Sequence, residues 1–210
     1  MRALGALPVA WRHFDAGVNL FTVVCDLSQD LPLFPDLDLA LDYWQRKRAG
    51  NIMPGRRDID PAEMHDFLSR VMLADVEHNP LRFRYRVAGT GVCHVHPGDA
   101  TGLRTDQLLP LPYGELIHQQ YAGVVRTRKP ALHLNLFDNH DSYHSYAHLI
   151  LPLGRDHELV DMILTVDSRG QDQAEMMNVL IDLQRRAGIE PGSPSLHVQT
   201  ARHRWAASDV

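Results

Sequence analysis

The sequence predicts an α+β fold, a five-stranded antiparallel sheet with helices gathered on one face, flanked by one helix before it and one after. Three observations carry this. Two helix starts are followed by a strand pair, a longer amphipathic helix and three more strands, the element order of helices packed on an antiparallel sheet. Apolar residues recur at a period of two in the strand segments and at three and four in the helical ones. The composition, 44% hydrophobic and 22% charged over 210 residues, is that of a globular chain able to bury a core.

Residues 1–36 read as an irregular extension holding one strand at 19–24 and prolines at 32 and 35. Asp38 then offers a cap to DLALDYWQRKRAG, in which Leu41, Trp44 and Arg48 recur at helical spacing. Arg46, Lys47 and Arg48 suit the negative end of the dipole, and Gly50 closes it. A second helix start is stronger. Asp60 caps, Pro61 takes the first position and Glu63 completes a capping box, before a stripe of Met64, Phe67 and Leu68.

VMLADVEHNPLRFRYRVAGTGV reads as two strands around Asn79-Pro80. In the second, Phe83, Tyr85 and Val87 face the core, while Arg82, Arg84 and Arg86 face solvent or a partner. Short Gly-, Pro- and Asp-rich elements follow from Cys93 to Pro112. Leu116, Ile117, Tyr121 and Val124 then mark an amphipathic helix over 114–128, stopped at Lys129-Pro130. ALHLNLFD, YHSYAHLILPLG and LVDMILTVDS are the last three strands, turning at 139–141 and 155–157. DQAEMMNVLIDLQRRAG predicts a helix in the tail, and no periodicity follows Pro191.

A net charge of −5 gives no basic excess for nucleic acid or membrane surfaces. No run is long enough for a membrane-spanning helix, and the N-terminal apolar run is broken by Arg12, His13 and Asp15. With Cys25 and Cys93 the only cysteines, a disulfide framework is excluded and cytoplasmic residence is predicted. There is no nucleophile-elbow serine, no activated-thiolate signature and no phosphate-binding glycine loop, so the chain reads as non-enzymatic.

Several pieces together resemble a bacterial family of short stand-alone PAS-domain proteins. They begin with Tyr43-Trp44, Met53-Pro54 and Arg57-Asp58-Ile59-Asp60-Pro61. Phe83-Arg84-Tyr85-Arg86, Gly89-Thr90, Asp99 and Thr101-Gly102 continue the series. Tyr146, Leu149, Leu151-Pro152-Leu153 and Val160-Asp161-Met162 end it. The resemblance spans about residues 37–168, making 1–36 an N-terminal extension and 169–210 a C-terminal helix with a loose tail. It implies a PAS-like sheet and a sensory or regulatory module that binds a small molecule, a protein partner, or both. In the family's register Cys93 and His96 fill apolar positions and His94 a polar one, although Pro97 stands where the family has glycine.

The alternation nominates Tyr85, Val87, His118, Tyr121, Tyr146 and His148 as pocket lining. Some PAS sensors hold haem through a histidine on the long helix, which here is His118, so haem is the alternative cofactor. A less favoured alternative is a cupin-like metal site of His94, His96 and His157. Against it, Ala88 replaces the leading glycine of that pattern, and Ala100 and Thr101 stand where its glutamate belongs. In the register the resemblance implies, Cys93, His94 and His96 cannot all point one way, so no metal ligand is predicted there. A homodimer is expected through the helix at 38–49, joined by the Arg82, Arg84 and Arg86 face and by Met176, Leu180 and Leu183 of the tail. The signal would pass to an unidentified signalling protein.

Overall fold

The computed structural model describes residues 34–92, 98–109, 111–138 and 143–168, the strands at 10–15 and 18–25, and the single residues Leu27 and His96. The expected tail helix, Cys93, His94 and the turn at 139–141 lie outside the described residues.

Seven antiparallel strands form one sheet: β1 (Ala10–Asp15), β2 (Val18–Cys25), β3 (Val71–His78), β4 (Leu81–Ala88), β5 (Ala131–Asp138), β6 (Tyr143–Leu153) and β7 (Met162–Asp167). Their spatial order is β1-β2-β5-β6-β7-β3-β4. The five strands from β5 to β4 are the predicted sheet. The strand expected at 19–24 is β2, and the irregular reading corrects at 10–15, where β1 pairs with β2 in a hairpin laid on the β5 edge. An open edge is a row of unpaired backbone groups, and a strand-prone segment satisfies it. Side chains fix the attachment. Thr22 donates to Asn135 Oδ1 at 2.7 Å, and Gln120 donates to Asn135 Oδ1 at 2.8 Å and to the Thr22 hydroxyl at 3.2 Å.

Helix α1 runs Pro35–Arg48. The predicted cap at Asp38 is displaced upstream: Phe34 is the N-cap residue and Pro35 takes the first turn, where its fixed φ suits a helix and its missing N–H costs nothing. Asp36 and Asp38 lie in that turn, at the positive end of the dipole. The helix ends at Ala49, in the left-handed region, followed by Gly50 at φ 88°. Leu37, Ala40, Tyr43 and Trp44 are buried as α1 packs on β6 and β7. Trp44 donates its indole N–H to the Pro152 carbonyl at 2.9 Å. Of the stripe expected to seek a second copy, Trp44 is buried on the chain's own sheet and Leu41 is half-buried.

The predicted second helix is instead two 3-10 turns, Pro61–Met64 and Leu68–Arg70. Met64, Phe67 and Arg70 are buried and the residues between them are exposed. That period is three, and side chains at i and i+3 eclipse in a 3-10 helix. Asp60 caps the first turn by accepting from the Ala62 amide at 2.9 Å. The capping box does not form, because Glu63 pairs with Lys47 of α1 at 2.6 Å.

Between β3 and β4 the register shifts: Ala74 lies opposite Tyr85, yet Leu73 lies opposite Val87. Arg86 is the extra residue of a β-bulge, which reverses the alternation beyond it. Phe83 and Tyr85 point inward as predicted, whereas Val87 is 51% exposed and does not line the interior. Arg86 binds both carboxylate oxygens of Asp75, at 2.6 and 2.7 Å, and Arg84 approaches Glu77 at 3.6 Å. That face pairs charges within the chain.

Helix α2 (Leu111–Thr127) packs on β4 and β6, burying Leu116, Ile117, Tyr121 and Val124. Gly114 permits its close approach to the turn at 105–107, since a Cβ there would lie 2.4 Å from the Thr105 carbonyl oxygen.

Candidate functional site

Beneath α2, five elements bring polar aromatic groups together. Tyr85 comes from β4, Tyr113 and Tyr121 from α2, His133 from β5, Tyr146 and His148 from β6, and Asp167 from β7. Pairing across the sheet sets His133 opposite His148 and His148 opposite Asp167. These three side chains therefore share a row on one face, and all are buried. The neighbouring row, Leu132, Leu149 and Val166, is fully buried on the opposite face.

The hydroxyls of Tyr85 and Tyr121 lie 3.2 Å apart, and Tyr146 donates to the Tyr113 hydroxyl at 3.2 Å. The His148 ring stacks on Tyr121, with centroids 6.0 Å apart, and meets Tyr146 edge-on at 5.8 Å. Its Nδ1 sits 2.6 Å from Asp167 Oδ1. In the neutral ring, an N–H at Nδ1 donating to that carboxylate leaves Nε2 as an acceptor. Two ring nitrogens, His148 Nε2 and His133 Nδ1, have no hydrogen-bond partner among the described residues. Buried polar atoms are paired in nearly all folded proteins, so each such atom marks a place for a water or a ligand.

Burial sets the protonation of the cluster. It pushes the Tyr85, Tyr113 and Tyr121 hydroxyls up, against a lowering bond from Tyr121 to Tyr85. Burial first, and His148 second, push His133 down to about 3. The tyrosines are thus held protonated and His133 neutral.

Arg70 connects the cluster to the start of the domain. Its buried guanidinium donates from Nη1 to Asp36 Oδ2 at 2.5 Å and to the Asp167 carbonyl, and from Nη2 to the Asp66 carbonyl at 3.4 Å. One cation therefore joins the first turn of α1 to the end of β7.

Of the six residues nominated as pocket lining, Tyr85, Tyr121, Tyr146 and His148 meet in this cluster. Val87 does not, and His118 lies apart. His118 is half-buried on the other side of α2, with Nδ1 3.2 Å from the Thr105 hydroxyl and its ring edge-on to Phe83 at 5.1 Å. It lines an open cleft of about 720 Å³ whose apolar walls are Leu81, Leu111, Ala122 and Val125. Burial lowers the His118 pKa and Asp106 opposes it. A neutral imidazole in an apolar cleft suits a haem iron, but the rim does not suit haem. Asp106 and Glu115 stand beside His118, with Arg126 as the cation of the lining to meet two propionates. The residues present do not make a haem site.

Two histidines of the metal alternative bond elsewhere, and the third, His94, lies outside the described residues. His96 is buried and its Nδ1 accepts from the Leu109 amide at 2.9 Å, while His157 Nδ1 donates to the Met53 carbonyl at 2.9 Å. Among the described residues no three His, Cys, Asp or Glu side chains are placed to hold one ion.

Tyr113, His133, Asp167 and Arg70 were not nominated. His133 had a signal, because the alternation of ALHLNLFD puts His133 and Asn135 on one face. Arg70 had none, since nothing local marks an arginine for burial.

No helix among the described residues is long and apolar enough to cross a membrane. No curated protein and no solved structure matches the chain. A family model described as PAS domain does match, over residues 35–166, from the first residue of α1 to the penultimate residue of β7. The sheet, its two packed helices and this match agree, and the chain belongs to the PAS domain family.

Proposed function

We propose that the chain is a non-enzymatic sensory or regulatory module of signal transduction, in which the cluster beneath α2 reads a small polar molecule. The observation that carries this reading is the pair of buried, unpartnered imidazole nitrogens, His133 Nδ1 and His148 Nε2. A molecule donating to either nitrogen recovers the hydrogen bond that burial withholds. The Asp167–Arg70–Asp36 connection supports a signalling role, because a shift of His148 moves the carboxylate of a residue whose carbonyl Arg70 holds. A changed α1 would then be presented to a partner protein.

The test is mass spectrometry of the purified chain under native and denaturing conditions, followed by thermal shift across a library of small polar compounds. The expected result is a retained small molecule, or a compound raising Tm, with the effect lost in the His133→Leu plus His148→Phe double variant. A bare chain whose Tm no compound shifts would overturn the reading.

A further inference from the structure

We infer that the cleft along the outer side of α2 is the contact between two copies of this chain, joined by antiparallel packing of α2 on α2 about a two-fold axis. This goes beyond the ligand reading and does not depend on it. Leu111, Glu115, His118, Ala122 and Arg126 line the cleft at intervals of three and four, so they form one stripe along the helix. The opposite side of α2, with Leu116, Ile117, Tyr121 and Val124, is already committed to the sheet. The stripe extends for roughly 22 Å at 1.5 Å per residue, with Leu81 of β4 and Asp106 as the other wall.

The charges at its ends specify the occupant. Glu115 and Arg126 are exposed and eleven positions apart on α2, about three full turns, so they lie on one line of the helix surface roughly 16 Å from each other. Neither makes an ion pair among the described residues. A two-fold axis midway between them brings Glu115 of each copy to Arg126 of the other and sets Gln119 opposite Ala122. A parallel arrangement would put Glu115 on Glu115. The centre admits close approach, because Ala122 is small and lies at the floor of the cleft, 7% exposed. The contact is thus self-complementary, as a two-fold interface must be. With Trp44 of α1 buried on the chain's own sheet, the two-fold contact is placed on α2 rather than on α1.

Sedimentation equilibrium of the full chain at micromolar concentration tests this, with circular dichroism as the check on folding. The expected wild-type mass is that of two chains. Glu115→Arg alone and Arg126→Glu alone should each weaken the dimer tenfold or more, by setting like charges together at both ends. The double variant restores both pairs with their polarity exchanged, and should return to within a few-fold of wild type. A wild-type mass of one chain would overturn the inference. A dimer indifferent to both reversals, or a double variant weaker than either single one, would overturn it equally. Because both side chains are exposed, the variants should keep the wild-type circular dichroism spectrum, with any fall in Tm limited to the stabilisation the dimer itself supplied.

Discussion

Asp167 and His148 face each other across adjacent strands, carboxylate to imidazole at 2.6 Å, with neither side chain more than 1% exposed. Removing one partner of a buried pair leaves the other uncompensated, whereas replacing both with apolar groups can be close to neutral. Asp167→Ala should therefore destabilise the fold by about 3 kcal/mol. The double variant Asp167→Leu plus His148→Phe should recover much of that loss. Urea unfolding of the three proteins decides it, and a single variant within about 0.5 kcal/mol of wild type would show that the pair is not structural.

His133 should make the fold acid-sensitive. Its pKa is pushed down to about 3, whereas the unfolded chain takes up a proton near 6.5. Between these values the unfolded state binds the extra proton, so stability falls as pH falls, by about 1.4 kcal/mol per pH unit from this group. His133→Leu should flatten the dependence of unfolding free energy on pH by close to one proton between about pH 6 and 4. An unchanged slope would mean that His133 is charged or hydrated in the folded state.

At the alkaline end the tyrosines govern. Burial raises Tyr85, Tyr113 and Tyr121, so the unfolded chain loses these protons first and stability declines as pH rises above about 10. Phenolate absorbance of the folded protein at about pH 11 should fall short of all six tyrosines by at least these three. Adding denaturant at the same pH should release the remainder. Full ionisation without unfolding would show that the cluster is open to solvent.

Asp60→Ala should cost about 1 kcal/mol through loss of the bond to the Ala62 amide. Its backbone also holds Tyr43, whose hydroxyl accepts from the Asp60 amide at 2.8 Å and lies 3.2 Å from the Asp60 carbonyl oxygen. Those bonds survive the substitution, so ligand-dependent shifts in Tm should be unchanged. Stability held while those shifts vanish would give Asp60 a functional role.

Period carried most of the sheet into view from the sequence. Phe83 and Tyr85, and the strands around His133 and His148, occupy the face that alternation assigns them. Val87 shows where alternation stops informing: a bulge is a fact of pairing between two strands, and nothing in RFRYRV announces that Arg86 will be the extra residue. The segment after Asp60 shows a second limit. Its cap was legible in Asp-Pro, yet the choice between 3-10 and α geometry rested on Met64, Phe67 and Arg70 all turning inward. Arg70 does so for partners 34 and 97 positions away. Within the buried cluster, Tyr85, Tyr121, Tyr146 and His148 were readable because large polar aromatics on a core face are few. The unpartnered nitrogens were not, since a missing bond exists only once every neighbour is in place.

The bulge at Arg86 also bears on how the molecule behaves at high concentration. Strand β4 is the last of the sheet, so its outer backbone could template a strand of another chain and begin a growing stack. Three features of the same short stretch work against this. The bulge twists the strand out of the flat geometry that stacking needs. Arg84 and Arg86 place like charges where a second β4 would have to lie. The backbone from 102 to 104 caps the middle of the edge, with the Leu103 carbonyl accepting from the Tyr85 amide and the Gly102 amide donating to the Tyr85 carbonyl, at 2.9 and 2.8 Å. An irregularity that turns one valine to solvent thereby helps to close this edge of the sheet to further strands.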